Sequence, residues 1–269
     1  MKLVLAAVLS LTALVFASGC GTETVDPSEI AAAADASSSA GGAKLVIDGE
    51  GEARGQTFDI KGTGEMDERG RSEMEIEVPG AGEIEQVADG LVLYQKIPGA
   101  REQFGKEWTR VDMVEAYRQI GVDLELIQQP GSQDPRQLLA QMKNTAGEIE
   151  RVGTEEVRGV ETTHYKGDVD LRKAIDQAPP DKRDEAERSI EKIIDITGAE
   201  GFPMEVWVDD DKLVRKLRMQ MKLNNPAFGG EMDMDMSMEL FDYGTQVTID
   251  VPAEDEAKDL TDLVAQQLE

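Results

Sequence analysis

The sequence predicts an α+β fold built on one long, curved antiparallel sheet, and three observations carry that prediction. From Lys44 onward, short segments of alternating apolar and polar residues recur with turn residues between them. Blocks of helical period interrupt runs of strands instead of following each strand in turn, which favours α+β over a parallel α/β sheet. Near the C-terminal end, EMDMDMSMEL (Glu231 to Leu240) sets an apolar residue at every second position with mostly acids between them, the period of an extended strand with two unlike faces.

At the N-terminus, Met1-Lys2 precedes an apolar run from Leu3 to Phe16 and then Ala17-Ser18-Gly19-Cys20. A short basic start and an apolar core too short to span a bilayer read as a signal peptide over residues 1–19. The residues before Cys20 resemble a bacterial lipobox, with Ala17 where leucine is usual, and the resemblance implies that Cys20 is lipidated. Cys20 is the only cysteine, which excludes an intramolecular disulfide and any multi-cysteine metal site. Residues 20–26 then read as the lipidated cysteine and a short tether. Asp26-Pro27-Ser28-Glu29 supplies an N-cap, a proline at the first helical position and an acid behind it, so a helix follows through Ala36 and ends in Ser37 to Gly42. Composition alone also allows a low-complexity linker here.

Strands are expected at Lys44 to Ile47, Thr57 to Gly64, Arg71 to Val78, Gly82 to Val87, Leu91 to Ile97 and Trp108 to Val111, with turns at Asp67 to Gly70, Pro79-Gly80 and Asp89-Gly90. The middle is helical at Met113 to Ile120 and Arg136 to Lys143. Strands return at Gly147 to Val152 and Glu155 to Asp168, followed by a short helix at Leu171 to Gln177. Asp181 to Thr197 is a firmer helix, with Ala186, Ile190, Ile193 and Ile194 on one face and Gly198 beyond its end. The last strands are Pro203 to Val208, Lys212 to Leu223, Glu231 to Tyr243 and Gln246 to Val251, and Glu254 to Gln267 closes the chain as a helix.

Formal charge is −27 with 55 acids against 28 bases, so nucleic acid and anionic lipid surfaces are repelled. With 31% charged and 40% hydrophobic residues the chain is globular in composition, and twelve methionines carry part of an apolar load in which aromatics are only 4%.

In an extended strand Met232, Met234, Met236, Met238 and Leu240 share one face and the acids share the other; before them Leu217, Met219, Met221 and Leu223 alternate with Lys216, Arg218, Gln220 and Lys222. Any register that pairs the apolar rows also pairs basic with acidic, so charge and hydrophobicity specify one alignment. Valine or isoleucine would be better strand formers. Flexible thioethers suit a wall that adapts to alkyl chains, and equally a core in which methionine fills gaps. Met-x-Met-x-Met also offers soft sulfurs to Cu(I), and Asp233, Asp235 and Ser237 offer oxygens to calcium, but a flat strand projects the latter in parallel instead of wrapping them around an ion. His164, the only histidine, lies on a strand away from any nucleophile motif. No constellation names a catalytic residue, a metal site or a cofactor, and the expectation is a binding protein that is not an enzyme.

Three blocks, TTHYKGDVD (162–170), VWVD (206–209) followed by LVRK (213–216), and YGTQVTIDVP (243–252), together with the lipobox, resemble the LppX/LprG-type lipoproteins of actinobacteria nearly end to end. That resemblance implies a single domain over residues 27–269 with a LolA-like fold: a strongly bent antiparallel sheet, or half-barrel, wrapped around helices with an apolar cavity between. It further implies a lipid or lipoglycan ligand and residence on the extracytoplasmic face of the cell membrane. The expected function is to bind acyl chains against the two methionine-rich strands and carry the lipid through the envelope, with an envelope transporter as partner. A non-transporting interaction or sensor lipoprotein and a copper-binding envelope protein are the alternatives.

Overall fold

The computed structural model describes residues 23–53, 55–78, 80, 82–127, 146–225 and 230–268. The signal peptide, Cys20 and the helix expected at Arg136 to Lys143 lie outside the described residues. The strands are β1 (Glu23–Val25), β2 (Gly42–Ala53), β3 (Gln56–Met66), β4 (Ser72–Val78), β5 (Gly82–Asp89), β6 (Val92–Lys96), β7 (Trp108–Asp112), β8 (Ala146–Val157), β9 (Val160–Asp170), β10 (Gly201–Asp209), β11 (Val214–Asn225), β12 (Gly230–Thr245) and β13 (Ala257–Asp259). All thirteen form one curved, open sheet in the order β1-β8-β9-β10-β11-β12-β2-β3-β4-β5-β6-β7-β13. Two antiparallel meanders, β2 to β7 and β8 to β12, are joined where β12 pairs with β2, and only β13 runs parallel to its neighbour, β7.

Helices α1 (Pro27–Ser39), α2 (Ala100–Phe104), α3 (Met113–Gln119), α4 (Leu124–Ile127), α5 (Arg183–Thr197) and α6 (Thr261–Leu268), with 3₁₀ turns at Leu171–Gln177 and Glu254–Glu256, complete the described elements. The Asp26 side chain caps α1 by accepting from Ser28 N at 2.8 Å. The same helix buries Ile30, Ala33, Ala34 and Ser37, a stripe at i, i+3, i+4 and i+7 whose small side chains let it lie close against the apolar face of the sheet. There it meets Leu45, Ile47, Val206, Leu217 and Leu240 in the main core. Ser37 Oγ accepts from Val214 N at 2.8 Å and Tyr243 Oη donates to Val214 O at 2.6 Å, so the start of β11 has both backbone groups taken by side chains. At the other end of the helical layer, α5 stops at Gly198, whose φ of 70° lets its N–H close on Ile194 O at 2.7 Å.

Several elements depart from the sequence expectation. The strand expected at Lys44 to Ile47 continues to Ala53, through glycines and acids that are poor strand formers alone. Pairing with β12 on one side and β3 on the other supplies what propensity lacks. Glu23–Val25, read as tether, is a strand paired with β8, and Val25 packs on the core. The single strand expected over Glu155 to Asp168 is broken by a turn in which Arg158 and Gly159 have φ of 51° and 79°. Both central residues are left-handed, as a two-residue primed hairpin requires.

The strand expected at Gln246 to Val251 is not in the sheet. Its alternation is real but has another cause: Val247, Ile249 and Val251 pack onto Val87, Tyr94 and Trp108 as an extended strap over β5 to β7. The expected closing helix is likewise divided into a turn at Glu254–Glu256, β13 and α6. Ile249→Ala should therefore cost about 2–5 kcal/mol in denaturant unfolding, as for a buried core residue. Thr248→Ala, on the exposed side of the strap, should stay within about 0.5 kcal/mol.

Candidate ligand-binding site

The register between β11 and β12 sets Leu217 opposite Met238, Met219 opposite Met236, Met221 opposite Met234 and Leu223 opposite Met232, with Lys216 opposite Glu239 and Lys222 opposite Asp233. Thus the nine apolar residues of the expected cavity wall share one face, and the charged rows share the other. They do not share one environment. Leu217 and Leu240 are buried in the core, where Met219, Met236 and Met238 also pack. Met221 and Met234 line a cavity of about 740 Å³. Leu223 lines a neighbouring pocket of about 550 Å³, and Met232 is half-buried opposite it at the start of β12. The wall therefore grades from filled core beside α1 to open space near the hairpin ends.

The cavity takes consecutive residues from β2, β3, β11 and β12: Gly51 and Phe58 join Met221 and Met234 on the methionine side, flanked by Glu50, Glu52, Asp59, Asp233 and Asp235. Gly51 sits between Met234 and Phe58 in the pairing of β12, β2 and β3. A Cβ at Gly51 would fall 2.4 Å from Phe58 Cζ, so the aromatic ring lies across the bare backbone. Gly49 plays the same part for Met236, whose Cγ would be 3.0 Å from such a Cβ. Sequence reasoning missed this glycine and aromatic contribution. The signal available was the Gly-x-Gly alternation in DGEGEA, which has the same period as the methionines.

On the other face the charge complementarity is specific. Arg218 Nε and Nη2 donate to the two oxygens of Asp235 at 2.8 and 2.5 Å, and Gln220 Nε2 donates to the same carboxylate at 2.8 Å. These bonds, from Arg218 above all, hold the Asp235 carboxyl below its ordinary value. Beside them, His164 is buried, with Glu155 at 3.0 Å from Nδ1 and Glu205 at 2.7 Å from Nε2. Its ring stacks on Trp207 with centroids 4.1 Å apart, and Trp207 Nε1 donates to Glu155 at 3.0 Å. That indole bond, joined by His164, lowers the Glu155 pKa. A histidine carrying one proton can donate to only one of its two carboxylates. This cluster ties β8, β9 and β10 together and presents no nucleophile. Among the described residues no group of three or more His, Cys, Asp or Glu side chains is placed to hold a metal ion, and no helix is long and apolar enough to cross a membrane.

Because its folded-state pKa is depressed, Asp235 contributes stability that is present above its unfolded pKa and lost as pH falls through the folded one. Stability should thus decline as pH drops below about 4. Arg218→Gln should make that decline shallower, read as a smaller difference between denaturant midpoints at neutral and acid pH than in the unsubstituted protein. Equal differences in the two proteins would show that the pair does not couple folding to Asp235.

No family model matches the chain. Among curated proteins it is similar to an uncharacterised 31.2 kDa protein from the rplA–rplJ intergenic region of Streptomyces griseus, with 26% identity over 121 residues; the match spans 45% of this chain and 37% of that protein. Among solved structures it is similar to the lipoprotein LppX of Mycobacterium tuberculosis, with TM-score 0.49 and 12% identity over 84% of this chain and 100% of that one. LprF of Mycobacterium bovis has TM-score 0.43 and 14% identity over 87% of this chain and 100% of that one. A LolA-superfamily protein from Nitrosomonas europaea has TM-score 0.30 and 9% identity over 84% and 96%.

Proposed function

We propose that this protein is a lipoprotein, anchored through Cys20 at the extracytoplasmic face of the cell membrane, whose single domain over residues 27–269 holds the acyl chains of a lipid or lipoglycan and carries it through the envelope. The observation that carries this reading is the cavity beside Met221, Met234, Gly51 and Phe58, at the end of an apolar face that α1 otherwise fills. At about 740 Å³ it falls within the range of about 300–1,000 Å³ typical of small-molecule sites. Burial of each methylene contributes about 0.8 kcal/mol, so part of one acyl chain suffices for measurable affinity. Flexible thioethers and a ring resting on glycine form a wall that can adjust to a chain of variable length. Delivery implies a second party, an envelope transporter or acceptor membrane. The same anchor and fold with the apolar face serving as filled core and no transported ligand would describe a non-transporting interaction or sensor lipoprotein.

Native mass spectrometry with organic extraction, on Cys20→Ser protein purified without detergent, tests the reading. Extra mass that extracts as an acylated lipid is the expected result. An apoprotein mass that persists after incubation with envelope lipids would favour the interaction protein. Met234→Trp, which fills the cavity from its wall, should weaken binding of a dodecyl-chain probe by about tenfold or more while the protein still melts cooperatively. Unchanged affinity in that variant would remove the cavity from the proposal.

A further inference from the structure

The acyl-binding reading leaves open where on the apolar face the ligand's polar end is met. We propose that the paired side-chain amides of Gln86 and Gln95 are a polar anchor at the far end of the binding track, donating hydrogen bonds to the ester carbonyl that joins a bound acyl chain to its alcohol. The inference rests on the acyl-binding reading.

The sheet register puts this pair on the methionine side. Leu240 is opposite Leu45, Leu45 opposite Gly64, Gly64 opposite Met74, Met74 opposite Gln86 and Gln86 opposite Gln95. Directly opposed residues project from the same face of a sheet, so the amides share the face of Met234, Met236, Met238 and Leu240 and not that of the charged rows. The track to them has a bare floor. Gly51 and Gly49 on β2, then Gly62 and Gly64 on β3, form a diagonal of four glycines leading from the cavity toward β4, and Phe58, Met236, Ile76 and Met74 reach over it. The rungs crossed on the way are apolar from β12 to β4: Met236, Gly49 and Ile60 on one, Met238, Ile47, Gly62 and Ile76 on the next. Phe58 to Gly64 is about 20 Å along β3, and Gly64 to Gln86 is about 10 Å across two strand spacings. A long acyl chain laid on this diagonal would have its methyl end in the cavity and its ester at the amides.

The amides are equipped for a carbonyl. Gln95 Nε2 donates to Gln86 Oε1 at 2.9 Å, and no other hydrogen bond engages either side chain among the described residues. Thr109, next on the rung, turns its hydroxyl instead to the Gln95 backbone oxygen at 3.1 Å. Both N–H bonds of Gln86 and one of Gln95 are therefore left over, and exchanging the two amide orientations leaves the same three donors. Both glutamines are half-buried, and their spare groups stay open, since Arg110 Nε is the only fully buried side-chain polar atom without a partner among the described residues. On an apolar strand face a β-branched residue would be the better occupant, and an amide there costs free energy unless its groups are bonded. An ester carbonyl drawn in by its alkyl chain carries the matching cost, and bonding the two together offsets both.

Calorimetric titration of the Cys20→Ser protein with monooleoylglycerol and with its ether counterpart mono-oleylglycerol, each delivered from cyclodextrin, tests this. The ester should bind about fivefold or more tightly than the ether, which lacks the carbonyl. Isotope-edited infrared spectra should show the carbonyl stretch of the bound ester at lower frequency than in cyclodextrin. The double variant Gln86→Met, Gln95→Met removes both amides at nearly constant volume, so it should still melt cooperatively, bind the ether as before and lose the preference for the ester. Amides that only pair β5 with β6 would leave that preference unmoved. Equal affinities for ester and ether in the protein with both glutamines, an unshifted carbonyl stretch, or a preference that survives in the double variant would overturn the anchor and leave acyl binding standing. Failure of both lipids to bind would overturn both.

Discussion

The pairing of β12 with β2 is the constraint on which the rest of the structure depends. It joins strands from near the two ends of the chain and turns two separate meanders into one sheet. Such a contact closes a very long loop and is costly to find during folding. Its alignment is enforced from both sides. The methionines of β12 meet the apolar row of β11 and its acids meet the basic row, and the glycines of β2 meet those methionines where a larger side chain would collide. A slip of one residue would turn the thioethers to solvent and bring acids against the core.

That junction also explains why the apolar face is filled at one end and open at the other. Where β12 carries Met238 and Leu240, β2 offers Ile47 and Leu45, and α1 packs closely upon them. Where β12 carries Met234, β2 offers only Gly51, and the volume that a branched side chain would occupy is divided between the Phe58 ring and the cavity. Space is created here by omission of side chains from one strand, with flexible ones on its neighbour to adapt around whatever enters.

The facing of β11 and β12, apolar row on apolar row and basic on acidic, was legible from sequence because two independent patterns, charge and hydrophobicity, agreed there. So was the capped helix at Pro27, whose Asp-Pro signature is local. What escaped was non-local. The extension of β2 across DGEGEA depends on partners on both sides, and the strap at 247–251 shows the period of a strand because one of its faces is buried, with no ladder to make it one. The turn at Arg158-Gly159 lacks the usual asparagine or aspartate, so it read as continuous strand. Of the candidate site, the methionines were visible and the division between core and cavity was not, since that division is set by α1 and by glycines on another strand.

Strand β1 lies antiparallel to β8 at the sheet's end, with Glu23 at its outer terminus and α1 beginning two residues after Val25. A force along the axis of β1 acts parallel to its pairing with β8. It loads the β1 to β8 hydrogen bonds together in shear, whereas a pull across the strand would open them singly. Behind those bonds stand Val25 in the core and a helix seated on the sheet by Ser37. Force on β1 is thereby resisted by the same packing that holds the fold together.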